Sequence, residues 1–172
     1  MNITLPVLLV LVFSLRCAWA EAEWPQFRGP DGQGHAEAVG LPMRWGENQN
    51  IRWKTPIPGH GWSSPVVSGD QIWLTTATND GSSLRAICVD LNGGHIVHNV
   101  EVFARPKAEH IHSQNSHATP TPVIDANSVY VHFGANGTAA LSHAGEIKWI
   151  NTELQRHGLL LQPRGQDNGA QT

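Results

Sequence analysis

The chain contains 172 residues, carries a formal net charge of −3 at neutral pH and has no block of basic residues. Because binding to nucleic acid needs clustered lysine and arginine side chains, this charge pattern argues against a nucleic-acid partner. Seven tryptophans accompany a single tyrosine. In arrays of β-sheets, large aromatic side chains usually pack one sheet against the next.

Residues 1–20 are predicted to be a secretory signal peptide. Residues 5–15 form an apolar run too short to span a bilayer, and small residues follow at Ala18 and Ala20, which places cleavage after Ala20. A buried N-terminal helix is the alternative. Signal removal leaves Cys88 as the only cysteine, so no internal disulfide is expected. We therefore expect an exported protein of the periplasm, cell envelope or extracellular space, able to associate with the envelope but without an integral membrane span.

The rest of the chain divides into a Gly- and Pro-rich lead-in over residues 21–50, strands over residues 51–150 and an irregular or disordered tail over residues 151–172. Asn-Gly, Asp-Gly and Gly-Gly steps mark tight turns between short runs of β-branched and aromatic residues. This pattern predicts a strand over residues 51–55, then two units of four strands, and no helix. The first unit has strands near residues 64–68, 71–77, 84–90 and 95–102, and the second near residues 121–125, 128–133, 138–142 and 146–150.

The two units repeat each other at an offset of 57 residues, so that Pro65 matches Pro122 and Trp73 matches Tyr130. Three residues close successive units at spacings of 45 and 51 residues, and we call them the closing residues: Trp53, His98 and Trp149. Strand-based repeats of about 40–50 residues are typical of propeller blades. The sequence therefore predicts an all-β fold of β-propeller blades, each of four antiparallel strands, with about two full blades and one partial blade.

Each full unit ends in a short motif. The first unit has Cys88, Asp90, Gly94 and His98, and the second has Ala140, Ser142, Gly145 and Trp149. At these positions the chain resembles the pyrroloquinoline-quinone-type repeat of quinoprotein-like eight-bladed propellers, whose pattern is Ala-x-Asp-x-x-Thr-Gly-x-x-x-Trp. The residues expected to serve the repeat structurally are Trp53, Pro65, Trp73, Asp90, Gly94, Pro122, Tyr130, Gly145 and Trp149.

Three further segments, residues 24–32, 51–56 and 115–122, resemble a large exported group of such proteins that is abundant in planctomycete-type bacteria. Members of this group are much longer than the 172 residues of this chain. We therefore expect a fragment of a larger propeller, from a truncated, frame-shifted or incompletely sequenced gene. The alternative is a short protein that closes its ring by oligomerisation.

The resemblance also raises the possibility of a pyrroloquinoline-quinone-dependent dehydrogenase. Cofactor-bearing relatives use a carboxylate base, a calcium ion held by Glu and Asn side chains, and often a disulfide between adjacent cysteines. This chain has no adjacent cysteines, and none of its carboxylates lies in a matching motif. Asp90 is better explained as a turn residue that caps backbone N–H groups. No catalytic residue and no cofactor are therefore expected, unless the quinone and calcium bind in blades that this sequence lacks.

Three histidines are candidates for a metal site. His110 and His112 would lie on one face of an extended strand, with His117 five residues further on. Imidazole clusters of this kind can bind zinc or copper. The spacing matches no recognised ligand signature, so the favoured interpretation is a solvated loop without a metal.

The function predicted from the sequence is that of a non-catalytic, exported β-propeller that serves as a scaffold for protein interaction or assembly. A protein partner is therefore expected. The alternative is a fragment of a pyrroloquinoline-quinone-dependent dehydrogenase whose active site lies in missing blades.

Overall fold

The structure is a computed structural model that describes residues 23–106 and 111–153. Within these ranges the protein is all-β, with nine strands in two antiparallel sheets and one short 3-10 turn at Gly134–Asn136. The predicted all-β fold is therefore confirmed. The predicted signal peptide, His110 and most of the predicted tail lie outside the described residues. In the described ranges no helix has the length and apolar character needed to cross a membrane.

The first sheet contains five strands in chain order, each antiparallel to its neighbour. They are β1 Glu23–Trp24, β2 Val66–Ser68, β3 Gln71–Ala77, β4 Ser83–Asp90 and β5 Ile96–Ala104. The turn between β3 and β4 is held by Asp80. Its Oδ1 atom accepts hydrogen bonds from the Thr78 hydroxyl at 2.6 Å and from the Ser82 N–H at 3.1 Å. These bonds favour the carboxylate, with the Thr78 bond the strongest cause, and lower the pKa of Asp80 to about 2.

The second sheet contains four strands and follows the same plan. They are β6 Val123–Ile124, β7 Val129–His132, β8 Thr138–Leu141 and β9 Ile147–Asn151. The 3-10 turn joins β7 to β8, and the buried Asn136 amide donates a hydrogen bond to the Phe133 carbonyl at 3.0 Å. All eight strands predicted for the two full units are therefore present, with ends that differ by up to two residues.

The strand predicted over residues 51–55 does not form, and this prediction was wrong. A strand needs a neighbouring backbone for its hydrogen bonds, and no described segment pairs with these residues. Instead, the side chains of every second residue in this segment lie against the first sheet. These residues, Trp53, Thr55 and Ile57, line a small apolar cleft there. Strand β1 was not predicted, because two residues are too few for a periodic pattern to be visible.

Equivalent residues lie side by side in the two sheets. Three such positions cross β3, β4 and β5 in the first sheet and β7, β8 and β9 in the second: Trp73, Cys88 and His98, and correspondingly Tyr130, Ala140 and Trp149. A register shift follows Cys88 in the first sheet and Ala140 in the second. The correspondence of the two unit motifs therefore extends to the strand register.

The hydrophobic core lies between the two sheets, which pack face to face. The first sheet contributes Val66, Trp73 and Cys88 to one continuous buried cluster, and the second contributes Ile124 and Leu141 among others. Burial of each such aliphatic or aromatic side chain stabilises the fold by about 1.5–3 kcal/mol. The two sheets are thus held together chiefly by apolar contact.

Candidate functional site

The first closing residue packs on a turn of the first sheet. The Trp53 indole lies against Gly94, whose backbone has a φ of +73°, and a Cβ atom on Gly94 would overlap the ring. The indole N–H donates a hydrogen bond to the Leu91 carbonyl at 3.0 Å, and the Thr55 hydroxyl donates one to the Gly94 carbonyl. We call residues 90–95 the first glycine turn. Asp90 shapes it by accepting a hydrogen bond from the Gly93 N–H.

The second closing residue packs on the corresponding turn of the second sheet. The His98 ring lies against Gly145, which has a φ of +81°, and a Cβ atom there would stand 2.9 Å from His98 Cγ. The imidazole also stacks on the Trp73 indole, with ring centroids 5.7 Å apart and an interplanar angle of 24°. We call residues 142–146 the second glycine turn. The Ser142 hydroxyl accepts a hydrogen bond from the Glu146 N–H there, at 3.1 Å.

A side chain that sequence reasoning missed bridges the two sheets. Gln71 accepts a hydrogen bond from the Trp73 indole N–H at 2.9 Å and donates one to the His143 carbonyl at 3.0 Å. His143 occupies the position in the second glycine turn that Leu91 occupies in the first. In the first glycine turn, the Trp53 indole N–H donates to the Leu91 carbonyl. In the second, the His143 carbonyl accepts its hydrogen bond from the Gln71 amide and not from the closing residue His98.

The N-terminal residues also hold the sheets together. Strand β1 pairs with β2, and the Pro25 carbonyl next to it accepts a hydrogen bond from the Ile124 N–H of the second sheet at 2.8 Å. The prolines predicted to serve the repeat lie directly before strands, where their missing N–H is tolerated: Pro65 before β2 and Pro122 before β6.

One face of the second sheet is not covered by another sheet among the described residues. We call it the open face, and it consists of Val123, Tyr130, Ala140 and Trp149, of which only Ala140 is fully buried. The rings of Tyr130 and Trp149 touch, with centroids 6.2 Å apart. Val123 is 44 % exposed and Tyr130 is half-buried, whereas the equivalent Val66 and Trp73 of the first sheet are fully buried. Trp149 is 44 % exposed, and its equivalent His98 is half-buried. The open face is therefore the counterpart of a surface that is covered elsewhere in the molecule.

The histidine candidates do not form a metal site in the part of the chain described here. His112 Nδ1 lies 3.2 Å from the Gln114 backbone nitrogen, which donates to it. His117 lines a cleft of about 380 Å³ with His60 and Trp62. Within the described ranges, no three His, Cys, Asp or Glu side chains are grouped so that they could hold a metal ion. His110 lies outside those ranges.

Of the carboxylates that line the largest cleft described below, Asp125 is a poor ligand for the calcium ion of a quinone site, because a turn already engages it. Glu23, Asp70 and Asp125 line a cleft of about 630 Å³ between the sheets. Asp125, however, accepts hydrogen bonds from the Asn127 and Ser128 N–H groups, both at 2.8 Å, and from Tyr130. These bonds lower its pKa, with the Asn127 N–H the main cause. The carboxylate oxygens are thus already used by a turn.

Cys88 does not provide a reactive thiolate. Its side chain is fully buried between the sheets, and this desolvation, reinforced by the charges of Asp70 and Asp90, raises the pKa of the thiol to about 12. The thiol is therefore protonated at neutral pH. Its role in the structure is that of a small apolar side chain in the core.

Comparisons with known proteins assign no family to this chain, since no protein-family model and no curated protein sequence matches it. The residues predicted to serve the repeat nevertheless have clear structural contacts. The closing residues Trp53 and His98 pack on Gly94 and Gly145 of the following unit, and Asp90 shapes the turn that holds Gly94. The open face is the one part of that packing pattern, among the described residues, that lacks its counterpart.

Proposed function

We propose that this chain belongs to an exported β-propeller of the quinoprotein-like type that binds a protein partner and does not catalyse a reaction. One observation carries the proposal: two closing residues, Trp53 and His98, each pack on the glycine turn of the unit that follows. Trp53 lies on Gly94, and His98 lies on Gly145. The same contact thus recurs from unit to unit.

This contact has a direction, which supports a propeller arrangement. Each unit offers its closing residue forward and its glycine turn backward, so units can be added in one order only. Contacts of this head-to-tail kind form a ring when the rotation between units closes. Sheets packed face to face in such a ring are propeller blades.

The open face supports the proposal that the protein binds a protein partner. It combines Tyr130 and Trp149, and both residue types are enriched at protein interfaces because they bury a large area with few rotatable bonds. Isolated exposed apolar residues are ordinary, but adjoining apolar side chains on one sheet face indicate an interaction surface. The residues that could suggest chemistry, Asp90, Asp125 and Cys88, are engaged in turns or in the core.

Export is supported by the sequence of residues 1–20 and by Cys88. A lone, fully buried thiol is compatible with an oxidising compartment, because it has no partner cysteine in the mature chain and does not reach solvent. Expression of the full chain in a bacterium, followed by fractionation and mass measurement, tests this part. We expect a mature form that begins at Glu21.

The non-catalytic assignment is tested by incubating the full chain with pyrroloquinoline quinone and calcium, followed by gel filtration. We expect the quinone absorbance to elute separately from the protein. A quinoprotein dehydrogenase apoenzyme treated in the same way serves as the positive control. Stoichiometric quinone in the protein peak would overturn the scaffold assignment.

A further inference from the structure

The cleft of about 380 Å³ that contains His117 lies where three loop segments meet. Residues 60–62 come before β2, residues 77–79 end β3 and begin its turn, and residues from 111–117 lead towards the second sheet. Binding sites for small molecules usually have volumes of about 300–1,000 Å³. The cleft shares no residue with the open face, so it is a separate candidate site.

Backbone contacts fix the segment that carries Trp62. The His60 backbone exchanges hydrogen bonds with the last residue of β3 at 2.8 and 2.9 Å, and the Trp62 N–H donates to the Ala118 carbonyl at 3.0 Å. Gly61 lies so close to β3 that a Cβ atom on it would overlap the Thr75 carbonyl oxygen. The Trp62 side chain is nevertheless 57 % exposed and lines the cleft. The cleft therefore has an exposed indole on an anchored backbone.

The cleft also contains polar side chains that can bind a ligand. Amides and imidazoles each combine a hydrogen-bond donor with an acceptor. The Asn115 amide oxygen accepts a hydrogen bond from the Ser116 N–H at 2.9 Å, which orients the amide and leaves its NH₂ group as a donor. Four further lining side chains form no side-chain hydrogen bond with another described residue: His60, Trp62, Asn79 and His117.

The charge of the lining restricts the class of ligand. The described residues that line the cleft include no lysine, arginine, aspartate or glutamate. A phosphate or carboxylate group would lose hydration there without gaining an opposite charge. A cationic ligand would find no carboxylate and only one indole, which is not the aromatic cage that such ligands prefer. The lining therefore favours a neutral, polar ligand.

We propose that this cleft binds a neutral oligosaccharide. A pyranose ring with equatorial hydroxyls has C–H faces, which pack on the electron-rich face of an indole such as that of Trp62. Its hydroxyls both donate and accept hydrogen bonds, and therefore match the amides of Asn79 and Asn115 and the two imidazoles. The inference adds a ligand to the proposed protein-binding function and does not depend on the open face.

The cleft continues beyond the length of one sugar ring. A second cleft, of about 340 Å³, adjoins it and extends to the turn at Gly134–Asn136 between β7 and β8. The two clefts have four lining residues in common: Ile111, Asn115, Ser116 and His117. This continuity favours several linked sugars over a monosaccharide.

The test is isothermal titration calorimetry of the full chain with cellopentaose, a neutral pentamer of β-1,4-linked glucose whose hydroxyls are equatorial. We expect a dissociation constant of about 0.1–1 mM. Trp62→Ala should weaken binding about tenfold or more, because the stacking surface is lost. Trp45→Ala is the matched control, since this tryptophan is 70 % exposed and lies outside the cleft. Both variants should keep the circular dichroism spectrum of the wild type.

A second variant tests the polar contacts. Asn79→Ala should weaken binding about 3–10-fold through the loss of a hydrogen bond. Asn127→Ala, at an exposed position before β7 and outside the cleft, should leave the affinity unchanged. The absence of binding at about 10 mM cellopentaose would overturn the proposal, and so would equal affinity of wild type and Trp62→Ala.

Two further probes distinguish the remaining ligand classes. The matching pentamer of β-1,4-linked glucuronic acid should bind more weakly than cellopentaose, because its carboxylates find no cation in the cleft. Equal or tighter binding of this acidic pentamer would overturn the neutral assignment. An acetylated and amidated pentapeptide of alanine and asparagine should not bind. If it bound through Trp62 and cellopentaose did not, the site would be a peptide site instead.

Discussion

The imidazole ring of His98 fills the space that a Cβ atom on Gly145 would occupy. This contact joins the last strand of the first sheet to the second glycine turn. Residue 145 therefore meets two requirements: it has no side chain, and its backbone φ is +81°. The energetic cost of violating each requirement can be measured separately.

Gly145→Ala is expected to destabilise the protein by about 2–5 kcal/mol. The left-handed backbone costs an L-residue about 1–2 kcal/mol, and the forced movement of His98 adds the cost of overpacking, about 1–3 kcal/mol. Urea unfolding measures the sum. Gly69→Ala is the matched control, because Gly69 has a φ of +58° and a Cβ atom there would meet no other atom within 4 Å, so only the backbone cost of about 1–2 kcal/mol applies.

The steric contribution to the loss of stability is isolated by removing the His98 ring. In the double variant His98→Ala/Gly145→Ala, the total loss of stability should be smaller than the sum of the two single losses, because the collision no longer exists. Simple additivity would show that His98 and residue 145 do not interact in solution.

Gln71→Ala is expected to destabilise the protein by about 1–3 kcal/mol. It leaves the buried Trp73 indole N–H and the His143 carbonyl without their described hydrogen-bond partner. Gln33→Ala, at an exposed position of the lead-in, should change stability by less than about 0.5 kcal/mol. A Gln71 variant as stable as the wild type would mean that the bridge between the sheets contributes nothing.

The Cys88 thiol is expected to resist modification in the folded protein. In a Cys17→Ser background, Ellman's reagent at pH 8 should find no thiol before denaturant is added and one thiol afterwards, because burial raises the pKa of Cys88 to about 12. Since the folded pKa lies above the reference value of 9.0, the stabilisation associated with the neutral thiol is complete below pH 9 and is lost as the pH rises towards 12. Rapid modification of the native protein at pH 8 would contradict this burial.

Asp80 is expected to make stability depend on pH in the acid range. Its pKa is lowered from 3.8 to about 2, so the stabilisation by its carboxylate is present above about pH 4 and is lost as the pH falls through 2. Asp80→Asn should therefore reduce the loss of stability between pH 5 and pH 2.5 in urea unfolding. Carboxyl chemical shifts measured by NMR give the pKa directly, and a midpoint near 3.8 would show that the turn does not hold the carboxylate.

Much of the fold was predictable from the sequence, because its turns contain the residue types that favour tight turns. Asp80-Gly81 and the glycines at 94 and 145 mark hairpins that form in the structure, and β-branched runs lie between them. Residues 51–55 share the composition of a strand, but composition does not supply a neighbouring backbone, so no strand forms there. Conversely, β1 exists because β2 offers it an edge, which no local pattern of two residues can reveal.

The candidate site was less predictable than the fold. The closing residues were visible in the sequence as a spacing, but their contact with the glycine of the following unit depends on how the sheets stack. The role of Gln71 has no sequence signal. It depends on the position of the His143 carbonyl in the folded protein, where the closing residue is His98 and not a tryptophan. The exposure of Trp149, too, is a property of what surrounds it and not of its own motif.

The forward direction of the closing contacts bears on how the chain matures as it is synthesised. His98 leaves the ribosome well before Gly145, and at about 5–20 residues per second the 47 residues from one to the other take about 2–10 s to make. During that interval Trp73 and Cys88 have been made, but the second sheet, whose Ile124, Val129 and Leu141 complete the core around them, is still incomplete. The nascent chain therefore passes through a stage at which a holding chaperone has its best target, and that stage ends when the second glycine turn arrives.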